Sequence, residues 1–279
     1  MPNKPHTPCL LLAAILIIFT AGCAPQTTRL NTITIDEPTD SQDYIDLEVI
    51  MAGGALKITH DGSDRVTGAI RTNKPEWQPS ITKGANGFLL SQGDITQITQ
   101  KPPAPVVNDW QINLSDTPTS LRVEANAFEG EFDLTGANLK DFTLIDYLSD
   151  SEISFHAPSP VVMDKFILGS SGSTMRLNQL GNANFRQMES FVVGGDYVLD
   201  FSGTLQRDTQ VQITTGLGNI RVVIPRSTNT IVTVTGANSR FTVTGPWVVD
   251  NTVYTNHADG YLLNILIEMD FAFLTLVLE

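Results

Sequence analysis

The twelve residues Val211 to Val222, VQITTGLGNIRV, constrain this chain more than any other feature. Val211 and Ile213 alternate with polar Gln212 and Thr214, a glycine-containing gap follows, and Ile220 and Val222 then alternate with Arg221. A period of two marks a half-buried strand, so the stretch reads as strand, corner, strand. Its apolar residues stand at places one, three, ten and twelve. That spacing recurs at Leu47, Val49, Leu56 and Ile58, at Phe166, Leu168, Met175 and Leu177, at Val232, Val234, Phe241 and Val243, and at Ile265, Ile267, Leu274 and Leu276. Three looser copies change only the gap. Leu121, Val123, Phe132, Leu134 and Phe142, Leu144, Ile153, Phe155 lengthen it, and Phe191, Val193, Leu199, Phe201 shorten it.

Units of about 21 residues, each too small to bury its own apolar face, must stack and share one core. The expectation is an all-β, parallel solenoid of about eight repeat units without helix. Glycine and asparagine mark the corners, as at Gly216 to Asn219 and Gly236 to Ser239, because left-handed backbone angles suit them. The final copy, rich in Phe271, Phe273, Leu274 and Val277, either caps the stack or contacts something, and an extra hairpin over Trp247 to Thr255 precedes it.

Copies start 20 to 33 residues apart except once, where 74 residues separate Leu47 from Leu121. The intervening segment carries strand patterns at Val66 to Thr72, Ser80 to Thr82, Phe88 to Ser91 and Trp110 to Leu114, interrupted by prolines. It is expected to be a small antiparallel meander packed on the start of the stack, with the Pro-rich stretch as an exposed loop and Trp77 and Trp110 closing the apolar end. An aromatic platform for a ligand is the rival reading of the two tryptophans.

The N-terminus supplies an address. A short polar start leads into the apolar run Cys9 to Phe19 and then Thr20-Ala21-Gly22-Cys23. The run is too short to span a bilayer and has the length of a signal h-region. Small residues before a cysteine resemble the bacterial lipobox, so Cys23 is the expected lipidation site; an ordinary secretory signal is the alternative. Two or three acyl chains give stable anchoring to a lipid bilayer. The expected organisation is a leader over residues 1–22, a tether over 23–43, the first repeat with its insertion over 44–118, and the repeats over 119–279. The expected location is extracytoplasmic: outer membrane in a Gram-negative cell, outer face of the plasma membrane otherwise.

A formal net charge of −13 argues against nucleic acid as a partner, since such binding depends on Lys and Arg neutralising phosphates. His60, His156 and His257 are not spaced as metal pairs. Gly169-Ser170-Ser171-Gly172-Ser173 falls short of a nucleophile elbow and suits a strand corner better. Two acidic groups remain, Asp61 with Asp64, and Asp146, Asp150 and Glu152, the latter a weak calcium site if any. Otherwise they form a solvated acidic face. No catalytic residue, resident metal or cofactor is expected.

Leu47-Glu48-Val49 through Ala52-Gly53-Gly54 to Leu56-Lys57-Ile58, the run Asn73 to Pro79, and the rungs Leu121 to Gly136 and Val211 to Pro225 resemble the toast-rack family of bacterial envelope proteins. That family includes membrane regulators of the LiaF type and adhesin-type lipoproteins. The resemblance covers about residues 44–279 and departs from the family at Asn126 to Gly130 and Glu268 to Phe273. It implies a right-handed, single-sheet β-helix at the cell surface and carries no catalytic residues with it. The functional expectation is a non-enzymatic scaffold that meets another envelope protein or a glycan. The alternatives are a carbohydrate-active or carbohydrate-binding β-helix and an envelope-stress module with a membrane partner.

Overall fold

The computed structural model describes residues 29–39, 43–95, 100–236 and 240–279. The leader, Cys23 and the corner residues Ala237 to Ser239 lie outside them. In chain order the strands are β1 (Asn31–Pro38), β2 (Ile45–Met51), β3 (Gly54–Ser63), β4 (Arg65–Thr72), β5 (Ser80–Lys83), β6 (Gly87–Ser91) and β7 (Asn108–Ser115). They continue as β8 (Thr119–Asn126), β9 (Phe128–Asp133), β10 (Leu139–Tyr147), β11 (Asp150–Ser154), β12 (Met163–Asn178) and β13 (Phe185–Asp200). The last are β14 (Thr209–Thr215), β15 (Asn219–Ile224), β16 (Asn229–Thr235), β17 (Arg240–Thr244), β18 (Val248–Asp250), β19 (Val253–Asn256), β20 (Leu262–Met269) and β21 (Phe273–Leu278). Among the described residues there is no α-helix, only two single turns of 3₁₀-helix.

Each rung has two arms that meet at a corner, and successive rungs pair in parallel. The first place of the repeat forms an unbroken ladder of inward side chains: Phe88, Leu47, Leu121, Phe142, Phe166, Met188, Val211, Ile265 and Val232. The tenth place forms a second ladder on the other arm: Trp110, Leu56, Gly130, Ser151, Met175, Tyr197, Ile220, Leu274 and Phe241. Both arms turn these residues into one continuous apolar core. Among the described residues the stack therefore has nine rungs.

The three apparently irregular copies are regular. Counted along the ladders, their inward residues are Leu121, Val123, Gly130 and Phe132, then Phe142, Leu144, Ser151 and Ile153, then Met188, Ser190, Tyr197 and Leu199. All three keep places one, three, ten and twelve, with a small residue at one place. Aromatic neighbours fill the space: a Cβ on Gly130 would lie 2.8 Å from ring atoms of both Phe128 and Phe132. Phe132, Phe142, Phe166 and Phe185 follow one another through this part of the core, with neighbouring ring centroids 5.0 to 6.3 Å apart. Phe191 and Val193, expected inside, point outward because Ser190 holds the inward place. In β12 and β13 the strand runs through the corner unbroken, and Gly195, at φ 98°, sits so tightly on Ser173 that a Cβ would meet its carbonyl oxygen at 2.1 Å.

Within the insertion the pairing is antiparallel, β4 with β7 and β5 with β6, but the order is not that of a meander. β6 and β7 pair in parallel with β2 and β3 and form the first rung, while β5 and β4 lie antiparallel along its outer edge. Trp110 is fully buried in that rung and Trp77 is nearly so against Ala52 and Ile95, so neither offers a platform for a ligand. Nor is all of 23–43 a tether: β1 pairs antiparallel with β4 along its whole length and buries Ile35. At the other end the final copy does not cap the stack. β20 and β21 lie between β14/β15 and β16/β17, and the hairpin β18–β19 covers β16. The sheet as a whole is mixed.

Two substitutions test this arrangement. Ile265 is covered from both sides by Val211 and Val232, so Ile265→Ala is expected to cost about 2–4 kcal/mol in denaturant unfolding. Ser190 is buried between Leu168 and Ile213 with no partner for its Oγ, so Ser190→Ala is expected to stabilise by about 1 kcal/mol in the same assay.

Candidate functional site

The corner of rungs β10 to β13 inverts the pattern of the rest. Inside it is polar. Asp146 occupies an inward place of β10, 5% exposed, beside Ser170 of β12 in the ladder. Its Oδ2 accepts hydrogen bonds from Ser149 Oγ and, at 2.8 Å, from Ser173 Oγ, while its Oδ1 is buried without a partner. Ser170 Oγ lies 3.1 Å from the Tyr197 hydroxyl. The Gly169 to Ser173 run is thus explained by packing: Ser170 and Ser173 face this inclusion, and His60 and His156 pair elsewhere, with Asp116 and Gln179. Burial pushes the Asp146 carboxyl above the ordinary range against the pull of the serine hydroxyls, and burial also raises Tyr197.

Outside, the same strands are apolar. Ile145, Tyr147 and Leu148 on the first of these rungs and Phe191 and Val193 two rungs on are exposed, with Leu217, Phe271 and Phe273 continuing the strip at the corner further along. The pairing aligns them: Ile145 with Gly169 and Phe191, Tyr147 with Ser171 and Val193. Glycines make the floor. A Cβ at Gly169 would come within 2.8 Å of Ile145 Cδ1, and one at Gly172 within 2.9 Å of Leu148 Cδ2, so both side chains lie flat across the neighbouring strand. Phe191, Val193 and Phe271 are 48%, 50% and 60% exposed. Side by side, such residues form a contiguous apolar surface of the kind that marks an interaction site.

The sequence-derived acids do not converge. Asp146 faces the core while Asp150 and Glu152 face solvent on the other arm, where Glu152 accepts a hydrogen bond of 2.7 Å from Asn178. Asp61 and Asp64 are exposed at the end of β3. Among the described residues no group of three His, Cys, Asp or Glu side chains could hold a metal ion. His60 pairs with Asp116 at 2.9 Å and His156 with Gln179 at 2.8 Å, each far along the chain from the other. Some outward acids pair with bases, as in Lys57 with Glu131, Lys101 with Glu129 and Arg71 with Asp109. The apolar strip was missed because Phe191 and Val193 fit the inward pattern if Ser190 is ignored; the alternation Met188, Ser190, Val192 was the available signal.

Residues 24–161 match the family described as the N-terminal domain of toast_rack, DUF2154, and the chain belongs to the toast-rack family. No curated protein matches it. Among solved structures it is similar to a candidate cell adhesion protein from Clostridium sporogenes, at 15% identity and a TM-score of 0.49, covering 90% of this chain and 100% of that one. It is also similar to a candidate adhesin from Bacteroides fragilis, at 10% identity, a TM-score of 0.41 and coverage of 89% and 97%. A candidate lipid binding protein from Parabacteroides distasonis shows 10% identity, a TM-score of 0.36 and coverage of 88% and 96%. No described helix is long and apolar enough to cross a membrane.

Asp146 gives a pH test. Its folded-state pKa is raised, so the fold favours the protonated acid: its contribution is fully present below the unfolded value near 3.8 and is lost as pH rises through the folded value. Asp146→Asn keeps an oxygen for the two serines and removes the buried charge. At pH 7 the variant is expected to be more stable than the parent by about 1–3 kcal/mol, and urea unfolding repeated near pH 4 should show the gap narrowing.

Proposed function

We propose that this chain is a non-enzymatic scaffold of the cell envelope, anchored to a bilayer through lipid on Cys23, whose outward corner strip docks onto another envelope component. The observation that carries this reading is the strip of Ile145, Tyr147, Leu148, Phe191 and Val193, exposed on strands whose inner faces are already committed to the core. The stack is read as a solenoid wound right-handed, the hand that parallel crossovers overwhelmingly take. The leader and lipobox supply the envelope address, and the adhesin descriptions of the similar structures agree with it. A protein partner fits the aliphatic part of the strip. The glycan reading stays in view because Tyr147, Phe191, Phe271 and Phe273 add aromatic faces, on which sugar rings stack.

The test is retention of the full chain, lipid-free through Cys23→Ser, on isolated envelopes from the producing cell. Retention is expected to saturate, to fall about tenfold in the double variant Phe191→Ser with Val193→Ser, and to disappear after protease treatment of the envelopes. Retention that survives protease and yields to soluble glycan moves the assignment to sugar. Retention indifferent to the double variant removes the strip as the site. In the native chain, acyl labelling that persists after Cys23→Ser would remove the anchor.

A further inference from the structure

The two ends of the stack are finished differently. At the end formed by β1 and β5, Lys83 Nζ of β5 reaches Glu37 Oε2 of β1 at 2.6 Å, and Arg65 pairs with Asp36. Pro38 closes the last position of β1. Charges and proline on edge strands block pairing with another chain. The far end, some 50 Å away at the usual strand spacing, keeps its cation and its proline off the middle of the edge, with Arg240 at the first place of β17 and Pro246 beyond its last. There, among the described residues, β17 pairs with β21 alone and β18 with β19 alone. Arg240 N donates to Ala272 O at 3.1 Å, so the alternation of a parallel ladder turns the N–H and C=O of Phe241 and Val243 to the open side of β17. Val243, Val248 and Val249 are exposed beside that edge, the last two more than half.

Charge separates this end from the rest of the molecule. From Ser227 to Asn256 the sequence holds one cation, Arg240, and one anion, Asp250, in a chain of net charge −13. Two copies repel across most of their surface, and here they do not. We propose that this tip is a homophilic docking edge: β17 of one molecule pairs antiparallel with β17 of a second across a two-fold axis, continuing the sheet and covering Val243, Val248 and Val249 of both. A two-fold interface matches the same edge to itself, and antiparallel is the sense in which two identical edges meet. β1 lies at the opposite end of each copy, so the joined pair is about 100 Å long. This inference does not depend on the corner strip.

The experiment is sedimentation equilibrium and small-angle scattering on the lipid-free full chain over roughly 1–100 µM, the range of weak interfaces. A doubling of mass with a maximum dimension close to twice that of the monomer is expected. Val243→Pro removes an open-edge donor without touching the bonds to β21, and Val249→Lys places like charges across the axis. Each is expected to weaken association by about tenfold or more. If Val243→Pro fails to fold, Val249→Lys decides alone. Phe191→Ser with Val193→Ser should leave association unchanged. A monomer throughout the range overturns the proposal, and so does a dimer insensitive to the tip variants or dissolved by the strip variant.

Discussion

Everything in this molecule depends on in-register parallel pairing between rungs that cannot bury themselves. The inward places of one rung are covered by the same places above and below and by the facing arm. Because side chains alternate faces, a slip of one residue would turn a whole rung inside out. The ladders shift register at strand ends, at Leu139/Asp141 of β10 and His60/Ser63 of β3, and the first- and tenth-place ladders stay in step. The chain instead accepts glycine or serine at an inward place and lets a neighbouring phenylalanine take the space, as Phe128 and Phe132 do around Gly130. Register is held and volume is traded, which is the cheaper choice for a stack, since an error in volume stays local and an error in register propagates.

The same dependence makes the ends costly, and the chain solves both with one device. At the start it lays down the second rung, β2/β3, then steps outward to make the first, β6/β7, and returns to the third, β8/β9. At the finish it passes from β14/β15 to the outermost rung, β16/β17, and returns to fill the gap with β20/β21. Each overshoot carries the antiparallel strands that cover the outermost rung. Overshooting gives room for a cap within one chain, and it puts the C-terminal rung under cover on both sides, where fraying is suppressed. Among the described residues, β17 is the one strand of the two outermost rungs without a strand beyond it.

How much of this the sequence disclosed follows from the same physics. Period-two alternation is a local signal, so the rungs with four apolar places were legible to the residue. Gly130, Ser151 and Ser190 hid three others, because a small inward residue is indistinguishable from a corner residue until its ladder neighbours are known. The order of rungs was hidden altogether. Nothing local distinguishes a strand that will lie at the edge from one that will lie between two others, so the insertion read as a meander and the last copy as a cap. The acids of the β10 to β11 corner failed for a related reason: Asp146 and Asp150 lie on opposite faces of the sheet despite standing four residues apart. For Cys23 the sequence remains the sole witness.

The corner of β10 to β13 is the one place where the rule of apolar inside and polar outside is broken on both faces at once. Inside lie Asp146, Ser170, Ser173 and Ser190; outside lie Ile145, Tyr147, Phe191 and Val193. Either departure alone lowers stability: the buried carboxyl carries an orphaned oxygen, and the exposed apolar residues gain nothing from the core. Elsewhere the stack shows how readily such residues are accommodated, with Val192, next to Phe191 and Val193, buried in the usual way. Swapping Ser190 for an apolar residue and Phe191 for a polar one would restore the pattern without altering a single ladder. A chain that places its largest side chains outward, over a glycine floor and across adjacent rungs, concentrates its local inconsistency where a partner can relieve it. Departures from pattern of this kind belong at functional surfaces, because only binding returns the free energy they cost.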